Sequence, residues 1–387
     1  MKMFLLGAGA SVDAGLKSSV GLTKAIAERL GRGSFRNPTG QLLHAVIGAM
    51  VQHDASGGAD AFVVPDVERV FSAVTKLKLR DDLDISAFVE RWNGSLDTVT
   101  GPSGLPRSWA REFRESLSGE AAGDMELQAT FERGVSALTE STSSSLFADL
   151  EQRMRMALVQ VLKVDSERVS YLNPMVSSTD LHAIATLNYD LSVETASSRI
   201  GLTVDTGLDR WRGGYGWGWT PESDLKLLKL HGSLDYVLHH ARPIGGRMIS
   251  EHLVGVGDEV GANPALVFGL GSKLRSDGPF LAMLVEFDRL LASTEWLTIV
   301  GYSFRDDHIN AALTRWMNGS SARRLSVIDP DIEKWMQDGG GAPSYFARLQ
   351  RGASGEGYEF GSRAMWTPIQ TDFLPLGAAQ GVEQLHG

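Results

Sequence analysis

Lys2-Met3-Phe4-Leu5-Leu6-Gly7-Ala8-Gly9-Ala10-Ser11 opens the chain with an apolar run that stops at two closely spaced glycines. Residues 2–6 read as a short buried strand and Gly7 to Ser11 as a tight glycine turn. Residues 12–30 read as a helix, with Leu22, Ile26 and Leu30 at helical spacing. Strand, turn and helix in that order form the first unit of a dinucleotide-binding α/β fold. Glycines let the backbone approach a pyrophosphate, and a helix N-terminus adds free N–H groups and a favourable dipole. The G-x-G-x-x-G fingerprint is incomplete, because Val12 stands where the third glycine belongs and the next glycine is Gly15. A plain tight turn between strand and helix explains the glycines alone equally well.

The α/β alternation pauses after this unit. From about residue 40 to 175 the pattern is mostly helical. Pro65-Asp66-Val67-Glu68 marks a helix start, and residues 126–139 and 146–163 carry further helical patterns. Asn93 to Gly104 and Ser116 to Gly123 are polar, Gly-rich breaks that read as loops. Residue 181 reopens the α/β pattern. Leu181 to Thr186 reads as a strand running into Asn188, with a helix over 190–200 and a short strand at Val204. Leu225 to Tyr236 holds a strand, with His231 within it or at its end, and Ala265 to Phe268 reads as another. A helix over 279–292, a strand from Trp296 to Val300, a helix from Asp307 to Met317 and a strand from Leu325 to Ile328 follow. Short apolar runs separated by helices predict a parallel sheet. The tail has helical patterns over 331–337 and 344–350, then Gly-rich polar sequence, and Trp211 to Trp219 reads as a loop. The expected fold is a Rossmann-like α/β domain (1–35 and 176–330) interrupted by a helical module (36–175). A C-terminal extension (331–387) follows, a candidate for oligomerisation.

Composition narrows the functional classes. The chain has 387 residues, a net charge of -10 and no Cys. Non-specific nucleic-acid binding is not expected, because it rests on neutralising phosphates with Lys and Arg. Disulfides and thiolate zinc sites are excluded. No apolar run reaches the roughly 20 residues of a membrane span, and the N-terminal apolar run is too short for a signal peptide. The expected location is the cytoplasm.

Three further stretches carry chemistry. Thr186-Leu187-Asn188-Tyr189-Asp190 puts an Asn at the C-terminal end of a strand, outside which ligands of open α/β sheets sit. Its amide can hold a ribose hydroxyl or a water, or cap the next helix, a role for which Asp190 competes. Leu230-His231-Gly232-Ser233 sets a His beside small residues that suggest an open strand end. His is the natural general base at neutral pH, although a His on an apolar strand is more often a core residue. His239, His240 and His308 lack such a setting. In Gly301-Tyr302-Ser303-Phe304-Arg305-Asp306, Ser303 is a candidate for a ribose or phosphate oxygen, and Asp306 for a ligand or a helix cap. Asp329, before Pro330, reads as an adenosine-ribose ligand or a turn residue.

Taken in order, GAGAS, TLNYD, KLHGS and GYSFRDDHI resemble the sirtuin superfamily, and within it the bacterial sirtuin-like NAD hydrolases of antiphage defence more than the protein deacylases. The resemblance covers residues 3–30 and about 180–330. It departs from the deacylases at Gly15-Leu16-Lys17-Ser18-Ser19, where their Gly-Ile-Pro-Asp-Phe-Arg run is missing, and in the absence of a four-Cys zinc module. The resemblance implies cleavage of NAD+ to nicotinamide and ADP-ribose, with Asn188 and His231 as the catalytic pair. It implies an NAD+ pocket drawn from Gly7, Ala8, Gly9, Ala10, Ser11, Gly15, Asp190, Gly301, Ser303, Asp306 and Asp329, with NAD+ as substrate and no metal or redox cofactor. It further implies a homo-oligomer or a partner such as a HerA-type ATP-driven translocase or an Argonaute-like protein. The alternatives are a sirtuin-like ADP-ribosyltransferase or deacylase, and a non-catalytic NAD or ADP-ribose sensor. An ordinary Rossmann dehydrogenase is disfavoured, because the acidic residue expected about 20 positions after the glycines falls within helix, at Glu28.

Overall fold

The computed structural model describes residues 1–31, 38–58, 63–80, 83, 143–211, 214, 216–239, 252–255, 264–266, 279–334, 345–346, 356–360, 363–367 and 369–386. Its contacts separate two compact units, Met1–Ser18 with Leu162–Gly387, and Ser19–Val161.

The second unit is helical in its described parts: Ser19–Gly31, Pro38–Ser56, Val67–Lys78 and Ser143–Val161. Val67–Lys78 begins where the sequence signals it, with the Asp66 carboxylate accepting the Arg69 N–H at 2.9 Å. Its buried face, Val67, Val70, Phe71 and Val74, follows the helical period. Inside this unit the buried Glu151 carboxylate bonds Lys78 Nζ at 2.5 Å and Arg155 at 2.8 Å. The predicted helix over 126–139 and the two predicted loops lie outside the described residues.

The first unit is built on a seven-stranded, all-parallel sheet ordered β12-β9-β8-β1-β2-β4-β3. Its strands are β1 (Lys2–Leu6), β2 (Leu181–Thr186), β3 (Val204–Asp205), β4 (Leu225–Lys229), β8 (Trp296–Val300), β9 (Arg324–Ile328) and β12 (Gln370–Leu374). Both faces are covered. Met3, Leu5, Leu228, Leu297, Ile299, Leu325 and Val327 share one core with the helices Phe280–Ala292 and Asp307–Gly319. Phe4, Leu6, Leu227, Val300 and Ile328 share another with Val193 and Ala196 of helix Ser192–Arg199 and Val382 of helix Ala378–His386. The period of two along each strand splits the apolar runs between these cores, so a continuous apolar run is what a doubly covered strand requires. This is a Rossmann-like α/β fold. Among the described residues, no helix is long and apolar enough to cross a membrane.

Four expectations need correction. The helix after the glycine turn does not start at residue 12. Ala8–Ser11 is a short 3-10 turn, Gly15 takes φ +85, and the helix begins at Ser19 in the other unit. A left-handed residue ends any right-handed helix, so the helix that follows does not run continuously out of the glycine turn. The domain boundaries move accordingly: residues 19–31 belong with the helical unit, and 162–175 with the α/β unit. The predicted strand Leu225 to Tyr236 is two strands in different sheets. β4 stops at Lys229, Gly232 turns at φ +88, and β5 (Gly232–His239) pairs antiparallel with β6 (His252–Gly255) and β7 (Pro264–Leu266). Finally, the C-terminal extension contributes a strand to the main sheet. After a hairpin of β10 (Glu356–Phe360) and β11 (Arg363–Thr367), β12 completes the edge of the main sheet.

Candidate functional site

The strand registers bring the sequence motifs to one edge. Leu6 lies opposite both Thr186 and Val300, Thr186 opposite Lys229, and Val300 opposite Ile328. Five neighbouring strands therefore end flush, and Gly7, Asn188, His231, Gly301 and Asp329 all follow those ends. Strand order reverses at β1, with β2 on one side and β8 on the other. The carboxyl edge at such a reversal is where open α/β sheets hold ligands.

The glycine turn sits on that reversal. The Gly7 N–H donates to the Val300 carbonyl and the Gly9 N–H to the Gly301 carbonyl, both at 2.9 Å. A Cβ on Gly7 would stand 2.5 Å from the Gly301 oxygen, and one on Gly9 2.7 Å from the Gly301 Cα. Gly301 itself takes φ +61. These glycines are thus required by backbone-to-backbone packing of two strand ends, whatever binds there. Ala8 and Gly9 are half-buried at the rim of the turn, while Ala10 and Ser11 are buried. The Tyr171 hydroxyl donates to the Ala10 carbonyl at 2.5 Å. Burial, then the Asp190 and Asp13 carboxylates, push that phenol well above its ordinary pKa, so it remains a donor.

Asn188 is part of this turn. Its amide nitrogen donates to the Gly7 carbonyl at 2.8 Å and to Ser11 Oγ at 3.0 Å, and its backbone N–H donates to Thr186 Oγ1 at 3.0 Å. An amide has two hydrogens, and both are used within the chain. Asn188 can serve a ligand only as an acceptor, through Oδ1. It does not cap helix Ser192–Arg199, where the Asp190 carboxylate accepts the Ser192 N–H at 2.9 Å. Asp190 is also held through its carbonyl by the fully buried Lys229, whose Nζ bonds Glu194 at 2.8 Å. Burial pushes the Glu194 carboxyl up, and Lys229 pulls it back in part.

His231 lies in the turn between β4 and β5 and is buried. Its Nε2 is 4.0 Å from Asp306 Oδ1, too long for a hydrogen bond but close enough for charge to be felt. Its ring lies 6.5 Å from that of Tyr189 and 6.0 Å from that of His308. His308 is therefore in the His231 environment, contrary to the sequence reading, which set it aside.

Asp306 precedes helix Asp307–Gly319 but makes no side-chain cap bond. Its main chain is pinned instead: its N–H donates to the Tyr302 hydroxyl at 3.1 Å, and its carbonyl accepts from the Asn310 N–H at 2.8 Å. Asn310 also bonds the carbonyl of Phe304, the one described non-glycine residue with positive φ, at 56°. Ser303 is half-buried on the same edge.

Gly15 and Asp329 stand differently. A Cβ on Gly15 would meet the Arg168 guanidinium at 2.1 Å, so this glycine lies under a cation rather than in the turn itself. Arg168 was not singled out from the sequence, because nothing links it to the turn except the fold. Asp329 accepts the Asp331 N–H at 2.9 Å, the local turn role, and burial followed by the Asp331 carboxylate raises its pKa to about 6.

Residues 182–338 match the SIR2-like domain. No curated protein matches the chain. The SIR2-like segment runs from β2 through β9 and so contains Asn188, His231, Gly301, Asp306 and Asp329. The glycine turn precedes it in sequence, yet Asn188 and Gly301 of the segment hold that turn by hydrogen bonds.

Proposed function

We propose that the protein is an NAD+ glycohydrolase, releasing nicotinamide and ADP-ribose. The observation that carries this reading is the bonding of Asn188 to Gly7 and Ser11 at the flush strand ends, with His231 two residues past the paired end of the next strand. SIR2-like domains are typically NAD-dependent enzymes.

The nicotinamide of NAD+ already carries positive charge, so the glycosidic bond breaks toward an oxocarbenium-like ribose without a general acid. The chain has to orient the ribose, hold the pyrophosphate and admit one water. Gly7 to Ser11 would hold the pyrophosphate, with Arg168 adding positive charge beyond Gly15. Asn188 Oδ1 would accept a hydrogen bond from the water or a ribose hydroxyl. His231 would take the proton as water attacks, and the Asp306 carboxylate would stabilise the resulting imidazolium. Gly301, Ser303 and Asp329 would border the ribose and adenosine side. The electron pair of the broken bond leaves on nicotinamide, the water oxygen bonds the anomeric carbon, and the water proton goes to His231.

An unrestrained activity of this kind would deplete its own cell of NAD. The reading therefore includes a gated role as the effector of antiphage defence, acting as a homo-oligomer or beside a HerA-type or Argonaute-like partner.

NAD+ labelled in its adenosine half separates the readings. Label recovered as free ADP-ribose, with one nicotinamide per ADP-ribose, is the expected outcome. Label attached to protein would make the chain a transferase. Intact NAD+ bound, and still uncleaved when the genomic neighbours are present, would make it a sensor.

A further inference from the structure

His231, Asp306 and His308 each offer one ligand atom, and these atoms lie within 4.8 Å of one another. His231 and Asp306 are buried and His308 is half-buried. The chain assembles them from two places: His231 follows β4, while Asp306 and His308 flank the start of helix Asp307–Gly319. Two imidazoles and one carboxylate suit a first-row transition metal, whereas Mg2+ and Ca2+ favour oxygen-only sites.

Two features of Asp306 bear on its place in this cluster. A residue in Asp306's position ordinarily spends its side chain on the helix N-terminus, and Asp306 does not. Its backbone is locked by Tyr302 and Asn310, which fixes the direction of its Cα–Cβ bond. Metal–ligand bonds of about 2.0–2.2 Å draw the ligand atoms closer than their present spacing. Closing the triangle around one ion therefore requires side-chain movement within the cluster.

We propose that His231, Asp306 and His308 bind a divalent transition metal of the Zn2+ class, with water completing the coordination. A metal on His231 occupies the imidazole that the glycohydrolase reaction needs, so the site doubles as a brake. That consequence rests on the NAD reading; the metal site does not.

The test titrates Co2+ into the full chain, purified without a histidine tag, while visible absorption is read. The expected result is one equivalent bound with the absorption of a low-coordinate Co2+ site, and affinity at least about tenfold weaker in His308→Ala and in Asp306→Asn. X-ray absorption of the Zn2+-loaded wild type, expected to count two imidazoles, needs no variant and covers the case in which a variant fails to fold. No stoichiometric binding, a spectrum without imidazole, or unchanged affinity in both variants overturns the proposal. None of these readouts involves NAD+ cleavage, so a protein that binds metal and never cleaves NAD+ contradicts only the glycohydrolase reading.

Discussion

Asn188 and Asp329 follow the ends of β2 and β9, with β1 and β8 between them in the sheet, and illustrate how differently single residues read from sequence. Asn188 was legible as a strand-end amide, but not its commitment of both hydrogens to Gly7 and Ser11, a contact spanning about 180 residues. Asp329 was legible as either a ligand or a turn residue, and the structure shows the turn bond. Its carboxyl is nonetheless pushed up to about 6 by burial, against an ordinary 3.8. The sign follows from proton linkage: the folded state binds this proton more tightly, so the stability it contributes is complete below 3.8 and is lost as pH rises through about 6. Asp329→Asn keeps an acceptor for the Asp331 N–H and removes the charge. It should therefore raise the melting temperature at pH 7 and leave it nearly unchanged near pH 4, as thermal unfolding at the two pH values will measure. His308 and Arg168 were illegible as site residues because only the fold brings them near His231 and Gly15.

At the scale of elements, strands flanked by helices on both faces announced themselves as unbroken apolar runs, and β1, β2, β8 and β9 lie where the sequence puts them. β5 was absorbed into β4, because the left-handed Gly232 interrupts an apolar run without changing its composition. β12 was missed for the opposite reason: Gln370-Thr371-Asp372-Phe373-Leu374 is an edge strand with mixed polarity. Helix Ala378–His386 closes over the sheet beside it, and two of its residues make separable predictions. A Cβ on Gly381 would stand 2.3 Å from Ile328 Cγ2. Alanine gains about 1 kcal/mol of helix propensity over glycine, but overpacking a filled core costs about 1–3 kcal/mol. Gly381→Ala should thus lower the denaturation midpoint rather than raise it. His386 lies against the rings of Phe4 and Trp296, and its Nε2 is 3.3 Å from Thr298 Oγ1. Burial, then Lys2 and Arg324, lower its pKa from 6.5 to about 4. With the folded pKa depressed, this stability is complete above about 6.5 and lost as pH falls toward about 4. Melting of wild type should drop across that window by more than melting of His386→Phe.

The whole molecule divides into an α/β unit that holds every candidate site residue and a helical unit that holds none. The sequence made this division visible through the loss of strand–helix alternation after the first unit. It misplaced the boundary, because the helical period of Leu22 and Ile26 looks the same whichever unit the helix joins. Replacing residues 19–161 by a flexible Gly-Ser linker should accordingly leave NAD+ binding within a few-fold of the full chain, as calorimetry will check. Loss of binding would mean that the helical unit supplies part of the pocket.

The most direct test pairs NAD+ binding with nicotinamide release in wild type and His231→Ala, under conditions in which wild type releases nicotinamide. His231→Ala should bind NAD+ within a few-fold of wild type and release nicotinamide about 10²–10⁴-fold more slowly. Release at the wild-type rate by a folded His231→Ala protein would contradict the glycohydrolase reading.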